Sequence, residues 1–403
     1  MTASGAAGDA GAIGMPEAGA GGRSPVDVVP QGGMSAAGGA PGEPTAGAAG
    51  APNAPLPQCE GTLSFDDQYV EQQVRDALGI AAGLPITAAD VANLTTLAIP
   101  FNDDNIDLTG LECLTALTSL DFSGGGGGQP LSVLALLPKL RSIDFHNGYL
   151  DSLEGFEVLT QVTSLDLSGN HVTDFSPLAS LSKLRTLNLA GNGNFNHSSV
   201  DITPLESLAK LTSLDLSYMT IDDTTPLSSL PQLQELALRN VELTSVAAIE
   251  SLTKLTALDL QSAKLTALPN LSAQTQLTAL DISNNTIADL TPLSGLVTLT
   301  SLQVAYTGLS DLSILAPLSQ LATLDISTNS VANITVLGAL PALHVLDLSF
   351  NPITSLQPLV DSNYIGTGDE ITAILSDCGD ANLATMAALI AKGVKVDNSC
   401  GVE

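Results

Sequence analysis

From Leu94 onward the apolar residues fall into one recurring figure, L-x-x-L-x-L, as in "LTSLDL" at 211–216. Its first positions are Leu94, Leu117, Leu140, Val162, Leu184, Leu211, Leu233, Leu255, Leu277, Leu299, Leu321 and Leu343. Within the figure the last two leucines alternate with one polar residue, the period of a strand with a single buried face. Each figure therefore predicts one short strand that turns its leucines inward. No single copy can bury those leucines, but parallel strands stacked about 4.8 Å apart build a continuous core, here a curved rod of roughly 55–60 Å.

The spacing is 22 or 23 residues throughout, except for a step of 27 between Leu184 and Leu211. Self-similarity at that period and with that internal pattern predicts an α/β repeat protein: a leucine-rich-repeat solenoid of about twelve repeats with a curved parallel sheet. An asparagine five positions after the second leucine recurs at Asn102, Asn170, Asn192, Asn285, Asn329 and Asn351. A buried amide there can satisfy main-chain groups that leave the strand without partners. Met219, Val241, Ala263 and Thr307 occupy the same column and interrupt it. Ser/Thr-Pro-Leu recurs at Ser176, Thr203, Thr225 and Thr291, which predicts a short helical turn with a hydroxyl N-cap and proline in the first helical position. The long step falls in "GNGNFNHSSVD" (191–201), after the strand is complete, so the five extra residues should bulge from the post-strand loop and leave the core untouched.

The ends depart from the pattern. "LSFDDQYVEQQVRDALG" (63–79) spaces Phe65, Val70, Val74 and Leu78 along one helical face and stops at Gly79, and "TAAD" (87–90) is a capping-box pattern. "DANLATMAALIAKG" (380–393) reads as a helix ending at Gly393, with "VKV" behind it as an edge strand. The expected domains are a disordered Gly/Ala/Pro-rich tether (1–57), a helical N-terminal cap (58–93), the solenoid (94–360) and a C-terminal cap (361–403).

Cys59 and Cys113 lie near one end of the solenoid, Cys378 and Cys400 near the other. The rod separates the two groups by far more than the roughly 7 Å a disulfide can bridge, so Cys59–Cys113 and Cys378–Cys400 are the feasible pairs, with four reduced buried thiols as the alternative. Bridged cysteines place the chain in an oxidising compartment.

At this level the chain resembles the bacterial internalin-like leucine-rich-repeat family. The resemblance rests on the helical N-terminal cap, the 22-residue unit "LTSLDLSGNHVTDFSPLASL" as the repeat averages it, and the cysteine-bearing C-terminal cap, and it spans about Leu63 to Cys400. It implies a secreted or surface-attached protein that binds other macromolecules. The Gly/Ala/Pro-rich leader resembles the spacer behind the acylated cysteine of bacterial lipoproteins, although the given sequence has no cysteine there and no basic region followed by an apolar stretch.

A formal net charge of −30, from 12 Lys+Arg against 42 Asp+Glu, excludes nucleic acid and anionic membranes as partners, because phosphate binding needs clustered cations. No apolar run reaches the roughly 18 residues of a membrane span. The glycines at 124–128 lack the Lys-Ser/Thr of a phosphate loop, and 361–372 lacks the bidentate acid of a calcium loop. His146, His171, His197 and His344 fall in different columns, so neither a metal nor another cofactor is expected, and no nucleophile–base arrangement points to an enzyme.

What remains is the exposed strand face. Asp121, Asp144, Asp166, Asp215, Asp259, Asp281, Asp325 and Asp347 stand between the strand leucines. Neighbours 4.8 Å apart repel by about 0.9 kcal/mol even in water. The column is either the repeat's ordinary soluble surface or an attractor for a basic partner or Ca²⁺. It lapses around Asn188 and Ala237, and there Glu235 and Arg239 flank the gap. Tyr218, Tyr306 and Phe350 share one column just beyond the strands in a chain with 3% aromatics. With Phe195 and His197 from the inserted stretch, Asn188, Tyr218, Glu235, Arg239, Tyr306 and Phe350 are the expected ligand-contacting residues. The expected function is extracytoplasmic recognition of a protein or glycan, basic in character, by a monomer acting through the concave face. A passive envelope or display protein is the alternative.

Overall fold

The computed structural model describes residues 59–100, 106–124, 131–193, 199–375 and 380–397. The leader, the centre of the 194–198 insertion, and both Cys378 and Cys400 lie outside them, as do Asn102, Phe195 and His197.

Each leucine figure forms one three-residue strand: β1 (Thr96–Ala98), β2 (Ser119–Asp121), β3 (Ser142–Asp144), β4 (Ser164–Asp166), β5 (Thr186–Asn188), β6 (Ser213–Asp215), β7 (Glu235–Ala237), β8 (Ala257–Asp259), β9 (Ala279–Asp281), β10 (Ser301–Gln303), β11 (Thr323–Asp325) and β12 (Val345–Asp347). Two more follow in the C-terminal segment, β13 (Glu370–Thr372) and β14 (Lys395–Asp397), and all fourteen form one parallel sheet in chain order. The central residue of β2 to β13, such as Leu214, Leu236, Leu258 and Leu280, is buried at 2% exposure or less; Leu97 in β1 is buried as well, and Val396 in β14, at the end of the sheet, is partly buried. The two flanking residues face outward. The 27-residue step leaves this order intact, since Thr186 pairs with Ser213 and Asn188 with Asp215.

The C-terminal segment is more repetitive than its sequence suggests. Val345, Glu370 and Lys395 are register partners, so the repeat has lengthened to 25 residues rather than stopped. Gly368 and Gly393 stand where the figure normally begins with leucine, and both have positive φ. The helix Asp380–Ala391 packs beside the last strand, with Met386 and Leu389 buried. At the other end, helix Gln68–Leu78 is capped by Asp67, whose side chain accepts the N–H groups of Tyr69 and Val70, and it ends at left-handed Gly79. Val70 and Val74 are fully buried against the first repeat. Thr87 and Asp90 make the capping-box contact, with Thr87 N–H donating to Asp90 Oδ2 at 2.8 Å. The Cys59–Cys113 disulfide is formed, with Cα atoms 5.2 Å apart, and joins the N-terminal cap to the first repeat. The bridge thus observed lies at the N-terminal end; the pair expected in the C-terminal cap is outside the described residues.

The asparagine column does what its burial requires. Asn170, Asn192, Asn285, Asn329 and Asn351 each donate through Nδ2 to carbonyls in their own repeat and the preceding one, and accept a loop N–H at Oδ1. Consecutive members share acceptors: Leu167 O receives both Asn170 and Asn192 at 2.7 Å. Where Thr307 interrupts the column, its hydroxyl donates to Val304 O at 2.9 Å and takes over part of the role.

The helical turns opposite the sheet differ from the expectation in their capping. Ser176, Thr203, Thr225 and Thr291 are first residues of short 3₁₀ turns, not N-caps, and the proline sits second. The cap is an aspartate two residues upstream: Asp174, Asp201, Asp223 and Asp289 each accept the Ser/Thr N–H at 2.8–2.9 Å. Asp311 and Asn333 do the same for Ser313 and Thr335. An ionised carboxylate makes the stronger acceptor, and 3₁₀ geometry leaves the first N–H pointing back toward it.

Hydrogen bonds from the same Ser/Thr residues hold five of these carboxyls below the ordinary aspartate value, the hydroxyl contributing most at Asp201 and Asp289 and the N–H most at Asp174, Asp223 and Asp311. A depressed folded-state value adds stability that is present above the unfolded-state titration and lost as pH falls through the folded-state one. Carboxyl ¹³C NMR should accordingly give these five aspartates midpoints below the ordinary 3.8. Asp201→Asn, which imitates Asn333, should retain the turn while removing that residue's acid sensitivity. Midpoints at or above the ordinary value would refute the capping role.

Candidate recognition surface on the strand face

Of the expected site residues, Asn188 and Glu235 are outward strand residues and Arg239 lies two residues beyond β7. The aspartate column of the strand face has a structural use that periodicity did not reveal. As each strand ends, the aspartate Oδ1 accepts the N–H two residues on: Asp121 from Ser123, Asp144 from His146, Asp166 from Ser168, Asp215 from Ser217, Asp259 from Gln261, Asp281 from Ser283, Asp325 from Ser327 and Asp347 from Ser349, all at 2.8–2.9 Å. Asn188 continues the series, accepting from Ala190 at 3.0 Å while donating to Asp166 Oδ2 at 3.0 Å. Asn188 therefore belongs to the ladder.

Where the column holds a residue that cannot serve, the preceding repeat compensates. Beyond Ala237, Gln303 and Thr372, the N–H groups of Arg239, Ala305 and Ile374 donate to Ser217, Ser283 and Ser349 at 3.1–3.2 Å. Those three serines are buried at 4% exposure or less, whereas Ser123, Ser168 and Ser327, which precede an aspartate or asparagine, are only half-buried.

Arg239 does not stand free at the gap. Its Nε and Nη2 donate to Asp259 Oδ2 at 3.1 and 2.8 Å, and Asp281 Oδ2 lies 3.9 Å away. The hydrogen bond that Arg239 donates to Asp259 chiefly raises the arginine's pKa further. Burial pushes the Asp281 carboxyl up, against the Ser283 hydrogen bonds that pull it down. Across β6 to β10 the outward residues Ala237, Ala257 and Ala279 are small, and together they leave a hollow of about 340 Å³. Asp215, Glu235, Asp259, Asp281 and Gln303 line it. Of the expected residues, Glu235 lines this hollow and Arg239 reaches its aspartates; Asp215, Asp259 and Asp281 come from the aspartate column, whereas Ala257 and Ala279 were not singled out by the sequence.

Tyr218, Tyr306 and Phe350 occupy a second line along the edge where the strands end. They are 58–63% exposed. Each has left-handed backbone, with φ of 61°, 54° and 57°. The cause is the inter-repeat ladder, which continues past the strand: Tyr218 N–H donates to Arg239 O, Tyr306 to Ser327 O and Phe350 to Ile374 O. Elsewhere the same column holds residues that tolerate this conformation, Gly124, Asn147, Gly169, Gly191, Asn240 and Asn284, with Ser262 as a small exception. An aromatic or β-branched residue there stores strain on the order of 1–3 kcal/mol. Thr328, between Tyr306 and Phe350, is also left-handed, at 53°. Tyr218 thus lies beside Arg239, while Tyr306 and Phe350 form a separate group four to six repeats on.

A family model described as "Leucine Rich repeats (2 copies)" matches residues 160–200. Among solved structures, an internalin (InlF) of Listeria monocytogenes superposes with a TM-score of 0.64 at 28% identity, over 78% of this chain and 96% of its own. The chain has a leucine-rich-repeat fold similar to that of the internalins. A leucine-rich-repeat protein of Leptospira interrogans shares the fold at 20% identity and a TM-score of 0.56, over 77% and 87% of the two chains. A chain of the Toll–Spatzle complex of Drosophila matches at 26% identity and a TM-score of 0.51, over 64% and 36%. A search of curated proteins finds no significant match. Among the described residues of the internalin-like solenoid, no group of three or more His, Cys, Asp or Glu could hold a metal ion, and no helix is long and apolar enough to cross a membrane.

Proposed function

We propose that the protein is an extracytoplasmic recognition module, secreted or attached to the cell surface, and that the alanine-floored hollow over β6 to β10 takes a basic segment of a protein partner. The observation that carries this reading is the hollow itself. Three small residues on adjacent strands withdraw the sheet surface, and carboxylates from Asp215, Glu235, Asp259 and Asp281 surround the space, with Arg239 paired to two of them. A desolvated carboxylate such as Asp281 gains from a second cation, so a lysine or arginine side chain entering the hollow would be favoured on charge and size together. The Cys59–Cys113 bridge supports a location where disulfides persist.

The test is binding of immobilised protein to lysine/arginine-rich, neutral and acidic peptides over a salt series. The basic peptides should bind selectively and weaken with salt. Asp215→Asn with Glu235→Gln should reduce their affinity roughly tenfold, about 1.4 kcal/mol. Ala257→Arg, which fills the hollow and supplies its own cation, should abolish binding. Equal binding of all three peptide classes would return the face to a passive, soluble surface. Thiol labelling of the protein in its native cells should find Cys59 and Cys113 blocked; free thiols there would overturn the location.

A further inference from the structure

Tyr306 and Phe350 stand two repeats apart, roughly 10 Å by strand spacing, on the edge of the solenoid beyond β10 and β12. With Thr286, Thr328, Asn329 and Ser330 they line an open cleft of about 360 Å³ that is distinct from the alanine-floored hollow. No charged side chain lines it, in a chain whose formal charge is −30. The hydroxyls of Thr286, Thr328 and Ser330 make no hydrogen bond among the described residues. The cleft therefore combines two exposed aromatic rings with free neutral hydroxyls.

We infer that this cleft is a binding site for neutral carbohydrate. A sugar ring has an apolar C–H face and a rim of hydroxyls that both donate and accept. The electron-rich faces of Tyr306 and Phe350 suit the first, and threonine and serine hydroxyls suit the second. An anionic sugar is disfavoured by the surrounding negative field, and a basic peptide finds its carboxylates in the hollow instead. The backbone adds an independent argument. Asn284, one repeat before Tyr306, satisfies the same left-handed position without strain, yet Tyr306, Thr328 and Phe350 follow in succession at φ of 53–57°. Bulky residues placed against local preference, with the two rings exposed, are what a binding site built at the expense of stability requires.

The full chain is titrated with cellohexaose, chitohexaose, maltohexaose and mannohexaose, and with an oligogalacturonate as the acidic comparison, by calorimetry and saturation-transfer NMR. At least one neutral oligosaccharide should bind with little dependence on salt. Tyr306→Asn and Phe350→Asn should each weaken it at least tenfold and together abolish it. Because asparagine is at home in left-handed backbone, both variants should fold with an unchanged or raised Tm, so lost binding would not reflect lost structure. Asp215→Asn with Glu235→Gln should leave saccharide binding untouched. No binding of any neutral oligosaccharide at millimolar concentration, undiminished binding by the double asparagine variant, or displacement of the sugar's signals by a neutral peptide alone would overturn the inference.

Discussion

Asn285→Ala should destabilise the protein by about 3–5 kcal/mol, whereas Asn284→Gly, one residue away, should change stability by less than about 1 kcal/mol. The two asparagines are adjacent in sequence and opposite in circumstance. Asn285 is 4% exposed, donates to Leu260 O and Ile282 O at 2.8 Å each, and accepts Leu265 N–H at 2.9 Å. Alanine would leave buried main-chain groups on two repeats with neither partner nor water, and each such group costs roughly 1–3 kcal/mol. Asn284 is exposed, sits at φ 60°, and gives its side chain only to Ser262 Oγ. Glycine adopts that conformation freely. Urea unfolding followed by circular dichroism checks both; equal effects of the two substitutions would contradict the buried-ladder account.

Reducing the Cys59–Cys113 disulfide should cost about 4 kcal/mol, the chain-entropy value for a closed loop of this size. The bridge spans 54 residues and ties the N-terminal helix to the first repeat. Without it, the helix Gln68–Leu78 can leave and expose Leu97 and Ile99 at the open end of the sheet. In a solenoid, where each repeat contacts chiefly its neighbours, loss should begin there and spread inward. Hydrogen exchange with and without reductant is the measurement. Protection should fall first in the helix and in β1 and β2, while β9 to β12 keep theirs. A fully reduced protein with unchanged exchange at its N-terminal end would show that packing of Val70 and Val74 suffices.

The repeat was legible because burial imposes a period. Leucines at fixed offsets must share a column when strands stack in parallel, so Leu214, Leu236 and Leu258 could be placed without coordinates, as could the Asn170–Asn192 ladder and the common column of Tyr218, Tyr306 and Phe350. One strand escaped, β13, and the "VKV" strand, β14, was legible as an edge strand but not as a further repeat: both begin after a glycine, Gly368 and Gly393, at a 25-residue spacing, so neither the leucine nor the period marked them as repeats. The capping of the 3₁₀ turns was misassigned to Ser176 and its counterparts because Asp174 also fits the pattern, and only the direction of the first N–H distinguishes the two.

The candidate site was less legible, for a related reason. Sequence placed Glu235 and Arg239 at the lapse in the aspartate column, but column membership says nothing about which neighbour a side chain reaches. Arg239 turns forward to Asp259, one repeat on, and Ser217 reaches forward to the Arg239 N–H. The hollow depends on three alanines on successive strands, each unremarkable alone. The polar cleft depends on Tyr306 and Phe350 framing Thr328 across three repeats. Sequence by itself determined the repeat, its register and the inward leucines, because one-dimensional periodicity is enough to decide burial in a stack. Only the tertiary structure decided which outward groups neutralise one another and which stay open to a partner, because those are distances between repeats.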